Sequence, residues 1–542
     1  MEAATGDRAP GGMVLGAVML AFDGLTVPDE VARRLRDAPA AGVTLFRFSN
    51  VESPAQVRAL TAAVQRAAGH AGPLLIAADQ EGGQLNGLGD GVTPFAGNMA
   101  LGAAGDPALT ERVAWAVGLE LRAMGVTIDY APVCDLATNP RNPAVGIRSF
   151  GDEPGRVGEH VAAFVRGLQS TGVAAGLKHF PGLGGVVDDT HHRLAVLDAS
   201  PADLDARELV PFRAGIDAGA RVVMSAHLAV PQLTGDPGLP STLSAAVMTD
   251  LLRRRLGFDG VSITDALNME AIPQGAGQID AVLAALEAGV DLLLTAPDTS
   301  ARDGIERGLS AAAAAGLLDA ERLRRSADRV RALAGWLAGF DQPDLSVVAC
   351  PEHRALAVEL ASRSITLVRD DGDRIPLRPA AGARIAAIMP APTDQTPADT
   401  SSIVPPGLAR ALRRHHAAVD GYVVGHAPAD DEIAAVRAAV AGHEIVVVGT
   451  TAAHLEPGQA ALVEALLEDS GADSGRVVTV ALRTPFDLAA YPASRTHLST
   501  YGILEPSLDA LADVIFGLAP AVGRLPAAVP GLHPTGHGID RR

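Results

Sequence analysis

The chain has 542 residues, 48% of them hydrophobic and 20% charged, with a formal net charge of -19, a composition that fits two or three folded cores and excludes a disordered or low-complexity protein. The negative balance excludes a phosphate-binding surface, so no nucleic-acid partner is expected, and no apolar run reaches the roughly 18 uncharged residues of a membrane span. The two cysteines, Cys134 and Cys350, are far apart and lack metal-ligand spacing, which implies free thiols and a reducing, cytoplasmic setting.

The first apolar run, Met13–Phe22, follows Glu2, Asp7 and Arg8 and runs straight into Asp23-Gly24; it reads as a strand, not as a signal-peptide core. Further strand-like runs follow at Val43–Phe46, Leu74–Ala77, Val126–Tyr130, Val173–Leu177, Arg221–Met224, Gly260–Thr264 and Asp291–Leu294. Helical stretches lie between them: Ser53–Ala68, where Ser53 caps, Pro54 takes the first helical position and Gln56 completes a capping box, then Leu109–Met124, Pro154–Ser170, Ala206–Ala218, Ala245–Leu256, Ile279–Ala288 and Ala320–Leu337. Eight strands alternating with helices predict a (β/α)8 TIM barrel over residues 1–340. The competing pattern, an open doubly wound sheet, lacks a glycine-rich phosphate fingerprint after the first strand. Residues 341–355, with Pro343 and Pro351, read as a linker. Over 356–542 strands (Ser364–Arg369, Arg384–Met389, Ala417–Val424, Glu444–Gly449, Arg476–Leu482) again alternate with helices (Pro406–His415, Asp430–Ala441, Gln459–Glu468, Ser507–Phe516), predicting an αβα sandwich of five or six strands. The proline- and glycine-rich tail from Pro520 is expected along the surface.

In such a barrel the residues past the C-terminal strand ends converge on one mouth, where catalysis sits. Asp79, Gln80 and Glu81 follow the third strand; Asp135, Asn139 and Arg148 the fourth; Lys178 and His179 close the fifth; His227 follows the sixth and Asp265 the seventh. Of the 44 basic residues only Lys178 is a lysine, so a compact ammonium stands where guanidinium is the chain's habit. The connection after the fifth strand is long for a βα loop and carries Asp189-Thr190-His191-His192. In an extended stretch, side chains two apart share a side, so Asp189 can orient His191 and raise its basicity. His227 is either a pocket residue or a buried support, and Arg148 could pair with Asp135.

Asp79-Gln80-Glu81-Gly82-Gly83, Asn139-Pro140-Arg141-Asn142-Pro143 continuing to Arg148-Ser149-Phe150-Gly151, Lys178-His179-Phe180-Pro181-Gly182, Asp189-Thr190-His191 and Thr264-Asp265-Ala266-Leu267-Asn268-Met269 together resemble glycoside hydrolase family 3, in its β-N-acetylglucosaminidase branch. Leu482-Arg483-Thr484-Pro485-Phe486-Asp487 and Thr500-Tyr501-Gly502 extend the resemblance into the second domain. It implies a retaining exo-hydrolase that releases terminal β-linked N-acetylglucosamine from a small oligosaccharide or glycopeptide, without cofactor or metal. Asp265 would be the nucleophile and His191, oriented by Asp189, the acid/base, in place of the carboxylic acid that most glycosidases use. An imidazole with a pKa near 6.5 suits that exchange near neutral pH. Substrate binding would fall to Asp79, Arg148, Lys178, His179, His227 and Met269.

Three positions depart from the branch pattern. Gln84 stands where arginine is usual and Leu183 where histidine is usual, which predicts lost polar reach near the mouth; Ala266 replaces a common second aspartate without touching the nucleophile. Other readings stay open at this level: a β-glucosidase-type or phosphorolytic member, or a sugar-binding protein without catalysis. A metal site drawn from His179, His191, His192, His227, Asp189 and Asp265 would normally come with a His-x-His on the first strand, which here ends Ala21-Phe22-Asp23-Gly24. The oligomeric state is not legible.

Overall fold

A computed structural model describes residues 14–37, 40–69, 73–275, 277–471 and 474–541; Met13, the first residue of the first predicted strand, lies outside them. The barrel strands are β1 (Val18–Leu20), β2 (Gly42–Thr44), β3 (Leu75–Ala78), β4 (Ile128–Asp129), β5 (Ala174–Phe180), β6 (Val222–Ser225), β7 (Val261–Thr264) and β8 (Leu293–Leu294). All neighbours pair in parallel, in the order β7-β6-β5-β4-β3-β2-β1-β8, and a parallel bridge from Ile263 to Leu292 joins the two ends of that order. The predicted TIM barrel is present.

Inward side chains of alternate strand positions, among them Met19, Leu75, Ala77, Ile128, Val222, Met224, Ile263 and Leu294, fill the barrel and pack on Leu333 and Leu337 of helix Ala320–Leu337, so the interior is a core and not a channel. The outward faces pack on the helical ring. Helix Pro54–Ala68 starts as expected, with the Ser53 hydroxyl accepting from the Gln56 N–H at 3.3 Å, but Gln56 Oε1 accepts from Glu52 N–H at 3.0 Å, one residue before the cap. Predicted helix Ala206–Ala218 is divided into Pro201–Ala206 and Leu209–Asp217. Helices Asp29–Asp37 and Thr299–Ala314 were not legible as such.

Helix Pro351–Ser364 leads from the barrel to a second sheet, built of β9 (Thr366–Asp370), β10 (Ile385–Pro390), β11 (Val419–Val424), β12 (Ile445–Thr450), β13 (Val477–Ala481) and β14 (Thr496–Ser499). Its order is β9-β14-β13-β12-β10-β11, parallel except for the antiparallel β9–β14 pair. Period-two alternation divides its side chains between two layers. Ile385, Ala387 and Met389 face Leu408, Leu412, Leu508 and Leu511 on one side; Ala386 and Ile388 face Ile433, Val436, Leu462 and Val463 on the other. This is the predicted αβα arrangement, with β14 as the sixth strand.

Candidate active site

Strand β5 runs beyond its predicted end at Leu177 through Lys178 and His179 to Phe180, so both residues are part of the barrel wall. Burying an ammonium there requires countercharge. Lys178 Nζ lies 2.6 Å from Asp79 Oδ1 and 2.6 Å from Glu81 Oε1. Glu81 in turn accepts a bidentate pair from Arg148, Nε to Oε2 at 2.9 Å and Nη2 to Oε1 at 2.7 Å. Burial pushes the Glu81 carboxyl up, but the charges of Arg148 and Lys178 outweigh it and hold the group at about 2. Burial likewise lowers Lys178, and the attraction of Asp79 and Glu81 turns the balance upward. The expected alternative pairing of Arg148 with Asp135 does not occur: the guanidinium reaches Glu81, and Asp135 is spent on His179. Glu81 was not among the expected binding residues. Its signal was available, because acids two apart at a strand end, Asp79 and Glu81, stood opposite the single lysine.

His179 is fixed from behind. Its Nδ1 lies 2.6 Å from Asp135 Oδ2, and Asp135 also accepts the backbone N–H groups of His179 at 3.2 Å and Leu183 at 2.6 Å. With Nδ1 as the donor, the tautomer assigned by this network, Nε2 is left to accept from Arg148 Nη2 at 3.4 Å.

Asp265 follows β7, half-buried, with Oδ1 accepting the Ala266 N–H at 2.7 Å. Burial raises its carboxyl, while His179, His227 and His191 around it lower it, and the net shift is downward; the group is held as a carboxylate. His227 is fully buried behind this segment, bonded through Nδ1 to Thr242 Oγ1 at 2.9 Å and through Nε2 to the Ala266 carbonyl at 3.3 Å. Burial drives its pKa down. It does not line the cavity, so of the two readings open to it the buried support is the one observed.

Asp189 and His191 do meet, but in a turn and not in an extended stretch. Asp189 Oδ1 accepts both the His191 N–H at 2.9 Å and Nδ1–H at 2.6 Å, while the Asp189 carbonyl takes the N–H of His192. Burial raises Asp189 and its bonds to His191 lower it, with a net downward shift. The His191 side chain is 23% exposed, and among the described residues its Nε2 has no partner.

These groups face one cavity of about 440 Å³, lined by Asp79, Arg148, Lys178, His179, His191, Asp265 and Met269, with Phe46–Ser49, Ala296, Pro297 and, from the second domain, residues 397–400. Such a volume suits one or two sugar rings. Of the expected site residues only His227 and Asp189 stand off this wall, each behind a residue that forms it.

A family model described as "Glycosyl hydrolase family 3 N terminal domain" matches residues 15–333. The chain belongs to glycosyl hydrolase family 3. It is 31% identical to "Beta-hexosaminidase A" of Pseudoalteromonas piscicida over 93% of this chain and 92% of that one. It is 40% identical to "Beta-hexosaminidase" of Stenotrophomonas maltophilia strain K279a over 52% of this chain and 85% of that one. Among solved structures, a "glycoside hydrolase family 3 beta-N-acetylglucosaminidase from Paenibacillus sp. str. FPU-7" superposes with a TM-score of 0.89 at 35% identity, covering 97% of this chain and 99% of that one. The protein is a glycoside hydrolase.

In this family 3 hydrolase two of the departures, Gln84 and Leu183, have structural explanations. Gln84 is turned into the seam between domains: its Nε2 donates to the Ala398 carbonyl at 3.1 Å, its Oε1 accepts from Arg483, and its backbone carbonyl accepts the Thr400 N–H at 2.8 Å. Arg483 also holds Asp399 Oδ2 at 2.9 Å. Leu183 is buried in the core cluster, with its backbone bonded to Asp135 and Asn142. Neither side chain lines the cavity.

Proposed function

We propose that this hydrolase releases terminal β-linked N-acetylglucosamine from oligosaccharides or glycopeptides by a retaining double displacement. Asp265 attacks the anomeric carbon and forms a glycosyl-enzyme; His191 Nε2 protonates the departing oxygen and then takes a proton from the water that breaks the intermediate. Asp189, bound to Nδ1, fixes the ring and stabilises the imidazolium that forms when water is deprotonated. The observation that carries this reading is that His191, joined to Asp189 behind it at 2.6 Å, lines the same cavity as the carboxylate Asp265. Asp79, Arg148, Lys178 and His179 grip the sugar hydroxyls, and Met269 supplies an apolar contact. The names of the full-length relative and of the superposed structure support the choice of N-acetylglucosamine.

Water is the favoured acceptor. Each cation on the cavity wall is already matched to a carboxylate, Arg47 to Asp90, Arg148 to Glu81 and Lys178 to Asp79 and Glu81, so inorganic phosphate meets no spare charge. Cys134 is buried and Cys350 unpaired, which supports a cytoplasmic site of action on fragments taken up from peptidoglycan or chitin.

A panel of nitrophenyl glycosides tests the sugar: N-acetylglucosaminide should be turned over well ahead of glucoside and xyloside, and preference for glucoside would withdraw the sugar assignment. A fluorinated slow substrate should leave its adduct on the Asp265 peptide; an adduct elsewhere removes Asp265 as nucleophile. Turnover should be indifferent to phosphate, and formation of a sugar 1-phosphate would overturn the choice of water.

A further inference from the structure

Two features of the sequence take no part in the chemistry so far: the stretch Asn139-Pro140-Arg141-Asn142-Pro143 after β4, and Asp487 at the end of Leu482-Arg483-Thr484-Pro485-Phe486-Asp487 after β13. His454, on the turn that follows β12 in the second domain, joins them. Asp487 is fully buried and accepts from the Thr450 hydroxyl at 2.6 Å, the His454 N–H at 3.3 Å and His454 Nδ1 at 2.7 Å. The imidazole also makes a T-shaped contact with the Phe486 ring, centroids 5.5 Å apart. Held in this way it turns Nε2 toward the barrel, where Nε2–H donates to the Pro140 carbonyl at 3.0 Å, the proton being assigned from the acceptor it meets. With the side chain only 11% exposed, water competes little for that bond.

On the barrel side the two asparagines of the stretch hold the start of the loop that carries Asp189 and His191. Asn142 Nδ2 donates to the Leu183 carbonyl at 2.7 Å, while its Oδ1 accepts the Ala144 and Val145 N–H groups at 3.0 and 2.9 Å, so this anchor stands on the barrel itself. Asn139, next to Pro140, is the outer anchor. Its Nδ2 donates to the carbonyls of Gly185 at 3.3 Å and Val186 at 3.2 Å, and Val186 lies three residues before Asp189. The far end of the loop is tied by the pairing of Ala195–Val196 with Leu228–Ala229. Asp189 and His191 are slung between these attachments.

We propose that His454 is a positioning residue for proton transfer: by tying Pro140 to the second domain it fixes the Asn139 anchor, and through that anchor the place of His191 on the cavity. The inference rests on the acid/base role proposed above for His191. A general acid must come within hydrogen-bond distance of the departing oxygen, and a misplacement of about 1 Å can cost about 10²-fold in rate. A bond outside the cavity can therefore govern the step that needs the proton. A reaction whose leaving group departs unprotonated is indifferent to it.

The test uses the full chain and two substrates: N,N′-diacetylchitobiose, whose leaving sugar needs a proton, and dinitrophenyl N-acetylglucosaminide, whose leaving group does not. H454N keeps a donor for Asp487 and gives up Pro140. It should lower kcat/KM for chitobiose by about tenfold and leave the dinitrophenyl glycoside within about twofold of wild type. H454Q, whose amide reaches the position of Nε2, should restore most of the loss. N139A cuts the same link from the barrel side and should show the same selective loss, which carries the test if H454N does not fold. In an H191A background neither change should add a further loss on chitobiose, because both act through His191. No loss on chitobiose, equal losses on the two substrates, no rescue by glutamine, or a full tenfold added to H191A would overturn the positioning role. An H191A variant that loses equally on both substrates would instead withdraw the acid role of His191, a result distinct from the others.

Discussion

The two flanks of the cavity are built on opposite principles. On one, Asp79, Glu81, Arg148 and Lys178 form a buried lattice in which every charge has a partner within 2.9 Å, set on strand β5 and the connections that follow β3 and β4. On the other, the His191 side chain is held through Asp189 alone among the described residues, on a turn, with its outer nitrogen unbonded there and the side chain partly in solvent. A closed lattice of charges defines positions and resists rearrangement. A histidine tethered at one nitrogen keeps the other for proton exchange. In the proposed mechanism this difference matches positioning to one flank and proton movement to the other.

The largest effect should come from Asp265→Ala, which serves neither flank alone: turnover should fall by about 10⁴-fold or more with the fold intact by circular dichroism, and near-normal turnover would dissolve the division. His191→Ala should lower turnover of natural glycosides by about 10²–10⁴-fold and that of aryl glycosides with good leaving groups far less. Equal losses on both would mean that this flank positions as well.

Glu81→Gln tests the other flank through stability, since it strips a buried carboxylate from two cations at a cost of about 3–5 kcal/mol, measurable by urea denaturation. The folded-state pKa of Glu81, about 2, lies below the ordinary 4.5, so its contribution is complete above pH 4.5 and is lost as the pH falls toward 2, the unfolded chain taking up the proton first. The variant should lack that part of the acid slope, and parallel slopes in both proteins would show that the lattice does not hold Glu81 ionised. Gln84→Ala, in the seam, should cost about 1–2 kcal/mol in buried hydrogen bonding and raise KM more than it lowers kcat; a pure kcat effect would tie the seam to the chemistry.

The sequence displayed the barrel and its mouth because the polar residues that follow successive strand ends collect there. It hid what pairing creates. The hydrophobic pattern of β5 stops at Leu177, yet the strand continues, because Asp79 and Glu81 neutralise Lys178 and Asp135 satisfies His179. Glu81 stood in view beside Asp79 but reads like any acid until its two cations are brought to it. His227 carries the same residue type as a catalytic histidine, and only burial separates the two roles. Gln84 and Arg483 are 399 positions apart, and no local periodicity announces a contact of that length.

Lys178 is the chain's single ε-amine, and it is 1% exposed and locked between two carboxylates. The folded protein is thereby shielded at its side-chain amines from acylating reagents, and a lysine-specific protease finds one scissile bond, closed inside the barrel wall. Because Lys178 also lines the cavity, reaction at that position becomes a built-in gauge of how often its two carboxylates release it toward the mouth, read from one labelled peptide without introducing any probe.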